Sequence, residues 1–178
     1  RAYQQAQKLV FETDIAEVGS VAFQQQMMAA MVYSDGRSLR AALQPATYRE
    51  LEAYCAETGF PLDNIQRFKP GMVSMILTIY ELGRLGMADT GVDMYFYEKA
   101  VSDGKTLGKL ETPLQQMQFI TSMGLGREDE LILNTLRDMK ELPMMMSALK
   151  TAWREGNREQ LVDLGMRPLQ QDFPALYE

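Results

Sequence analysis

No histidine occurs among the 178 residues. That absence removes Ser-His-Asp and Cys-His catalysis from within the chain, and with it any His-ligated zinc site. A single cysteine, Cys55, rules out an internal disulfide. It falls inside an expected helix with no imidazole to activate it, so it reads as a buried structural thiol rather than a nucleophile. No apolar run approaches the roughly 20 residues of a membrane span, so no span is expected in this chain. No signal peptide is visible either, although a cut before Arg1 would remove one. Positive charge is in deficit: a net charge of −6 disfavours nucleic acid and acidic membranes as partners. Low-complexity segments, linkers and repeats of fixed period are also lacking.

What is abundant is methionine, with 14 residues, an adaptable filler of helical cores. The length suits one domain, 1–178. Because the chain opens on Arg1, it reads as a piece of a longer protein. Two short stretches share one grammar. Lys8-Leu-Val-Phe11 reads as a strand ended by Glu12, with Thr13 and Asp14 as caps for a following helix. Thr106-Leu-Gly-Lys-Leu110 reads as a second strand leading to Glu111. Thr112 then suits an N-cap, Pro113 the first helical position, and Gln115 completes a capping box. Parallel neighbouring strands would bring Glu12 and Glu111 to one sheet edge, about 4.8 Å apart. Ligands bind at that edge in open α/β sheets. Such a pair can hold a metal or share a proton; alternatively, each Glu satisfies backbone amides at a helix start.

The rest reads as helix. Arg1 to Gln7 suits a helix tail. From Glu17 an apolar stripe of Val18, Val21, Ala22, Met28, Ala29 and Val32 predicts a helix to about Tyr33, followed by a turn at Ser34-Asp35-Gly36. Ser38 to Leu43 is a short helical turn. Thr47 and Glu50 suggest a capping box for a helix ending at Thr58 and Gly59. Leu62 to Phe68 is another short helix. Pro70 to Leu85 is apolar on nearly every side, which predicts the most buried element, stopped by Gly83 and Gly86. Asp93 should cap a helix after Gly91. Beyond Gly126, Leu142, Met145, Met146, Leu149, Ala152 and Trp153 form a stripe expected to face the core. Asn157 can cap a last helix, which Pro168 and Pro174 interrupt.

Taken in order, Val10-Phe11-Glu12, Asp35-Gly36-Arg-Ser38-Leu39, Lys69-Pro70, Gly91-Val-Asp93, Leu110-Glu111-Thr112 with Gln116, and Trp153-Arg-Glu-Gly156 resemble the TraB/GumN family. That family is similar in turn to the TIKI proteases and, more distantly, to erythromycin esterases and ChaN-like haem-binding proteins. Members carry a Gly-x-x-His motif on a strand before Val-Phe-Glu, and a second near the C-terminus after an Arg-Asn motif. This chain has neither, and Phe173 to Tyr177 looks like the segment just before Arg-Asn. The resemblance therefore makes it the central part of a longer TraB/GumN-like domain. By that resemblance Glu12 is a metal ligand or general base, Glu111 its catalytic partner, and Asp93, Gln116 and Lys69 are supporting residues. Gln116 would brace Glu111 or the backbone, and Lys69 would orient an anion or stay solvated.

The expected fold is mostly α with a small parallel β component, the helices from Glu17 to Ala88 forming a cap over about two strands. The resemblance implies a metal-dependent hydrolase or peptidase whose histidines lie outside this chain, with a peptide among its candidate substrates. The segment alone is expected to be inactive. The complete protein would hold Mn, Co or Zn; carboxylates without imidazole suit Mg²⁺, Ca²⁺ or Mn²⁺ and bind them loosely, so no tight cofactor is expected here. Kin are often exported, periplasmic or membrane-attached bacterial proteins. The alternative is a non-catalytic helical binding or interaction module. A haem site comes third, since only Tyr or Met could ligate the iron. An open sheet edge would favour self-association.

Overall fold

Caps and breakers set most element boundaries. The computed structural model describes residues 1–18, 20–87 and 91–172. In chain order these hold α1 (Ala2–Gln5), β1 (Lys8–Phe11), α2 (Ile15–Val18), α3 (Val21–Met31), α4 (Leu39–Ala42), α5 (Pro45–Thr58) and a 3-10 turn (Leu62–Ile65). There follow α6 (Pro70–Arg84), α7 (Val92–Ser102), β2 (Thr106–Lys109), α8 (Pro113–Ser122), α9 (Glu128–Glu155) and α10 (Arg158–Asp172). The described residues are thus mostly α with one small sheet. Two compact units divide the chain, Arg1–Leu136 and Arg137–Glu178. Pro174 and the stretch from Phe173 to Tyr177 lie outside the described residues.

The sheet is parallel. Lys8 pairs with Thr106 and Phe11 with Lys109, so the carboxyl ends of β1 and β2 meet at one edge. Between the strands, the crossover carries α2 to α7. The two faces of the sheet differ. On one, Phe11 meets the ring of Tyr97 from α7 edge to face, with centroids 5.9 Å apart. On the other, Val10 is 53% exposed.

Beside the sheet, α3 and α6 pack on α8. Met31, Met72 and Met117 are buried together there, flanked by Met27, Phe68, Met75 and Ile76. Methionine is well suited to this place, because an unbranched, flexible side chain fills irregular gaps between helices. Gly71 permits the approach of α6 to α8: a Cβ on it would lie 2.0 Å from the carbonyl oxygen of Ile120. The first half of α6 is buried from Pro70 to Ser74, whereas Ile79 is 56% exposed, so the helix is central at its start and open near its end. Farther along, buried Glu81 accepts from the Tyr54 hydroxyl at 2.5 Å and pairs with Arg84 at 2.8 Å. Burial and the neighbouring carboxylate together push the Tyr54 hydroxyl well above the ordinary tyrosine range.

Several expectations need correction. The helix expected from Glu17 is two helices. Ser20 caps α3 by accepting from Phe23 N–H at 3.1 Å, which restarts the helical phase. The buried face of α3 therefore carries Phe23, Met27 and Met31, while Val18, Val21 and Met28 of the expected stripe are exposed. Helix α5 begins three residues earlier than a Thr47 cap predicts, with Gln44 at the cap position. Pro45 occupies its first turn, and Thr47 is buried inside it. Gly83 lies within α6, which stops only at Leu85. Trp153 is exposed, not core: it sits about 100° of helix turn beyond the buried Ala152. Finally, α10 runs through Pro168 without a break.

Candidate functional site

The strand-to-helix junctions are built by neighbours of the two glutamates. After β1, Asp14 Oδ1 accepts the amides of Ala16 at 3.1 Å and Glu17 at 3.2 Å, starting α2. Its other oxygen holds the Lys109 ammonium at 2.9 Å, which keeps the Asp14 carboxyl below the usual carboxylate range. After β2, Thr112 and Gln115 form the full capping box of α8. The helix starts are thus satisfied without Glu12 or Glu111. The two residues are joined through the backbone, the Glu111 N–H donating to the Glu12 carbonyl at 2.9 Å. Neither carboxylate has a hydrogen-bond or ion-pair partner among the described residues. The reading of both glutamates as caps is therefore corrected.

A cleft of about 520 Å³ opens at this sheet edge. Its polar lining includes Glu12, Asp93 and Gln116; Phe11, Ile15, Val18 and Met94 supply apolar wall. Three of the five residues named from the sequence thus share one cleft, with Glu111 on the adjoining strand end. Asp93 does not cap α7. Gly91 holds the cap position, and Asp93 sits in the first turn, where its charge complements the helix dipole. The side-chain amide of Gln116 makes no hydrogen bond among the described residues, so it does not brace Glu111.

Lys69 stands apart from this cleft. Its ammonium donates to the Ala30 carbonyl at 2.8 Å and its backbone N–H to the Met31 carbonyl at 2.9 Å. Two free carbonyls at the end of α3 are capped in this way, and the following Pro70 opens α6. Sequence reasoning treated Thr13 only as a possible cap. Its hydroxyl is buried in the cleft wall without a partner, and no spacing signal marks it. Cys55 is buried, which pushes its thiol up to about 11 and leaves it protonated at neutral pH.

Chemically, the edge offers two unpaired carboxylates, a third acid and an amide beside an apolar wall. A hydrolytic metal generally takes about three protein ligands. Among the described residues, no three Asp, Glu or Cys side chains gather as a metal-holding group. The residues present therefore do not fit such an ion by themselves.

Comparison with known proteins places the chain. A model of the TraB/PrgY/gumN family matches residues 1–178. No curated protein and no solved structure matches it.

Proposed function

The chain belongs to the TraB/PrgY/gumN family, and we propose that Glu12 and Glu111 form the carboxylate half of a hydrolytic site. The remaining groups, histidines by the family resemblance, would come from strands outside these residues. One observation carries the reading. Glu12 lines the cleft, Glu111 is hydrogen-bonded to it through the backbone just past the neighbouring strand, and neither carboxylate has a structural task among the described residues. Unpaired acids at the carboxyl edge of a parallel sheet are placed for ligand chemistry.

Glu12 is the general base, taking a proton from an attacking water and returning it to the leaving group. Glu111 holds negative charge beside it, and Asp93 and Gln116 position the substrate. A divalent ion (Mn, Co or Zn) belongs to this reading only when the outside donors join Glu12. The substrate class is peptide, and the protein is exported, periplasmic or membrane-attached in a bacterium.

The test is hydrolysis of fluorogenic peptides by the gene's whole product, wild type against Glu12→Gln. A positioned general base contributes about 10²- to 10⁴-fold. The expected result is a loss of that size in kcat with folding intact. Full activity in Glu12→Gln would overturn the assignment.

A second reading, a non-catalytic helical binding module, rests on the bare face of the sheet. Val10 is 53% exposed there. Two strands alone are marginal in water, and parallel sheets are normally covered on both faces. A concentration-dependent dimer in sedimentation, lost on Val10→Lys, supports this reading, whereas a monomer at every concentration sinks self-association.

A further inference from the structure

We infer that a second pocket, away from the Glu12 cleft, binds a small zwitterion of the α-amino-acid type. It is built where four elements meet: the loop after α3, the start of α6, the end of α8 and the first residue of α9. Its volume is about 110 Å³. Sites for drug-sized ligands run to roughly 300–1,000 Å³, so this one suits a ligand of only a few heavy atoms.

The charge pattern sets the chemistry. Four charged residues line the pocket, Asp35, Arg37, Lys69 and Glu128. Asp35 and Arg37 satisfy each other. Their side chains pair at 3.2 Å, and Asp35 also accepts the Arg37 backbone N–H at 3.1 Å. Arg37 further lies over the Tyr33 ring, 4.5 Å from its centroid. Lys69 and Glu128 are different. Among the described residues neither has an ion-pair partner, and they do not reach each other. Lys69 spends one ammonium proton on the Ala30 carbonyl and keeps two. One small pocket thus presents an unpaired cation and an unpaired anion in the same lining. Its wall also holds an unmet hydrogen-bonding group, the Tyr33 hydroxyl, which is buried without a partner.

A ligand carrying carboxylate and ammonium on one carbon satisfies both charges at once. The carboxylate pairs with Lys69 and the ammonium with Glu128. A plain anion would leave Glu128 opposing it, and a plain cation would meet Lys69. The pocket shares no lining residue with the Glu12 cleft, so this inference stands whether or not the hydrolytic reading does.

The test is an NMR titration of backbone amides with three probes of similar size: L-alanine, propionate and ethylamine. L-Alanine should shift the amides of residues 33–37, 69–72 and 121–128 with millimolar affinity. Propionate and ethylamine should each bind at least tenfold more weakly, the loss expected for one charge-assisted contact. Glu128→Gln should weaken alanine about tenfold and make propionate bind no more weakly than before, since the opposing charge is gone. Lys69→Met should likewise weaken alanine and make ethylamine bind no more weakly. Because Lys69 also caps α3, Glu128→Gln decides the matter if Lys69→Met fails to fold. No saturable shifts with alanine, equal affinity for all three probes, or undiminished alanine binding in Glu128→Gln would each overturn the inference.

Discussion

Gly71→Ala should destabilise the protein far beyond an ordinary helix substitution. On propensity alone the change is favourable, since alanine in a helix interior gains about 0.5–1 kcal/mol over glycine. The structure reverses the sign. The added Cβ would stand 2.0 Å from the Ile120 carbonyl oxygen and 3.3 Å from Met123 Cβ. Backbone cannot rotate out of the way as a side chain can, so α6 and α8 must separate by more than about 1 Å. A gap of that size forfeits a quarter to a half of each dispersion contact across it. The contacts at risk are those of Met31, Met72 and Met117, which fill the junction. Overpacking usually costs about 1–3 kcal/mol, and a clash with a carbonyl belongs at the upper end.

Gly83 supplies the control within the same helix. A Cβ there meets nothing within 4 Å, so Gly83→Ala should stabilise by about 0.5–1 kcal/mol. Urea or thermal unfolding of both variants measures the contrast. For a chain of this size, each kcal/mol moves Tm by about 2–4 °C. Gly71→Ala should therefore fall by roughly 5–10 °C while Gly83→Ala rises by a few. Equal behaviour of the two variants would refute the close α6–α8 approach.

Glu12→Gln and Glu111→Gln should each leave stability within about 0.5 kcal/mol of wild type, since neither carboxylate has a partner to lose; a drop beyond about 1 kcal/mol in chemical unfolding would make them structural residues. The Asp14 carboxyl, held low by the Lys109 ammonium, contributes stability that is complete above the unfolded carboxylate range near 3.9 and fades as pH falls through its lower folded value. Lys109→Met should flatten that acid limb only slightly, because the pair is exposed and screened by solvent, and an unchanged limb speaks against the pair. Cys55 should resist a neutral-pH thiol reagent until the chain unfolds, since burial raises its thiol; stoichiometric labelling of the folded protein would contradict that burial.

Local chemistry was legible in the sequence, and facing was not. Thr112-Pro113 with Gln115, and Gly59, act through groups within a few residues, and both do what their spacing predicts. Periodicity failed where the phase of a helix was reset. Read through Ser20 as one helix, the residues from Val18 to Val32 give a coherent stripe; once Ser20 restarts the turn, Val18, Val21 and Met28 of that stripe face water. Trp153 failed for a related reason, since apolar character does not say which side of a long helix is covered. Lys69 could not be read locally at all. Its partners are the carbonyls of Ala30 and Met31, about forty residues earlier, and only the meeting of the end of α3 with the start of α6 brings them within reach.

The same limit governs the pair of glutamates. Each strand–Glu–helix junction is visible in the sequence, but a junction has no direction until its strand is paired. Had β1 and β2 run antiparallel, Glu12 and Glu111 would stand at opposite ends of a four-residue ladder, roughly 13 Å apart at about 3.3 Å per residue. The parallel register puts Phe11 beside Lys109, and the next residues of both strands leave the sheet together. Parallel pairing in turn requires a crossover long enough to return the chain to the same end, and here it is the helical stretch from α2 to α7. That stretch also delivers Asp93 and Met94, at the start of α7, to the cleft beside Glu12. One connection therefore brings the two glutamates to the same sheet edge and lines the cleft next to Glu12. Shortening it to a plain crossover would keep Glu12 beside Glu111 and remove the wall opposite.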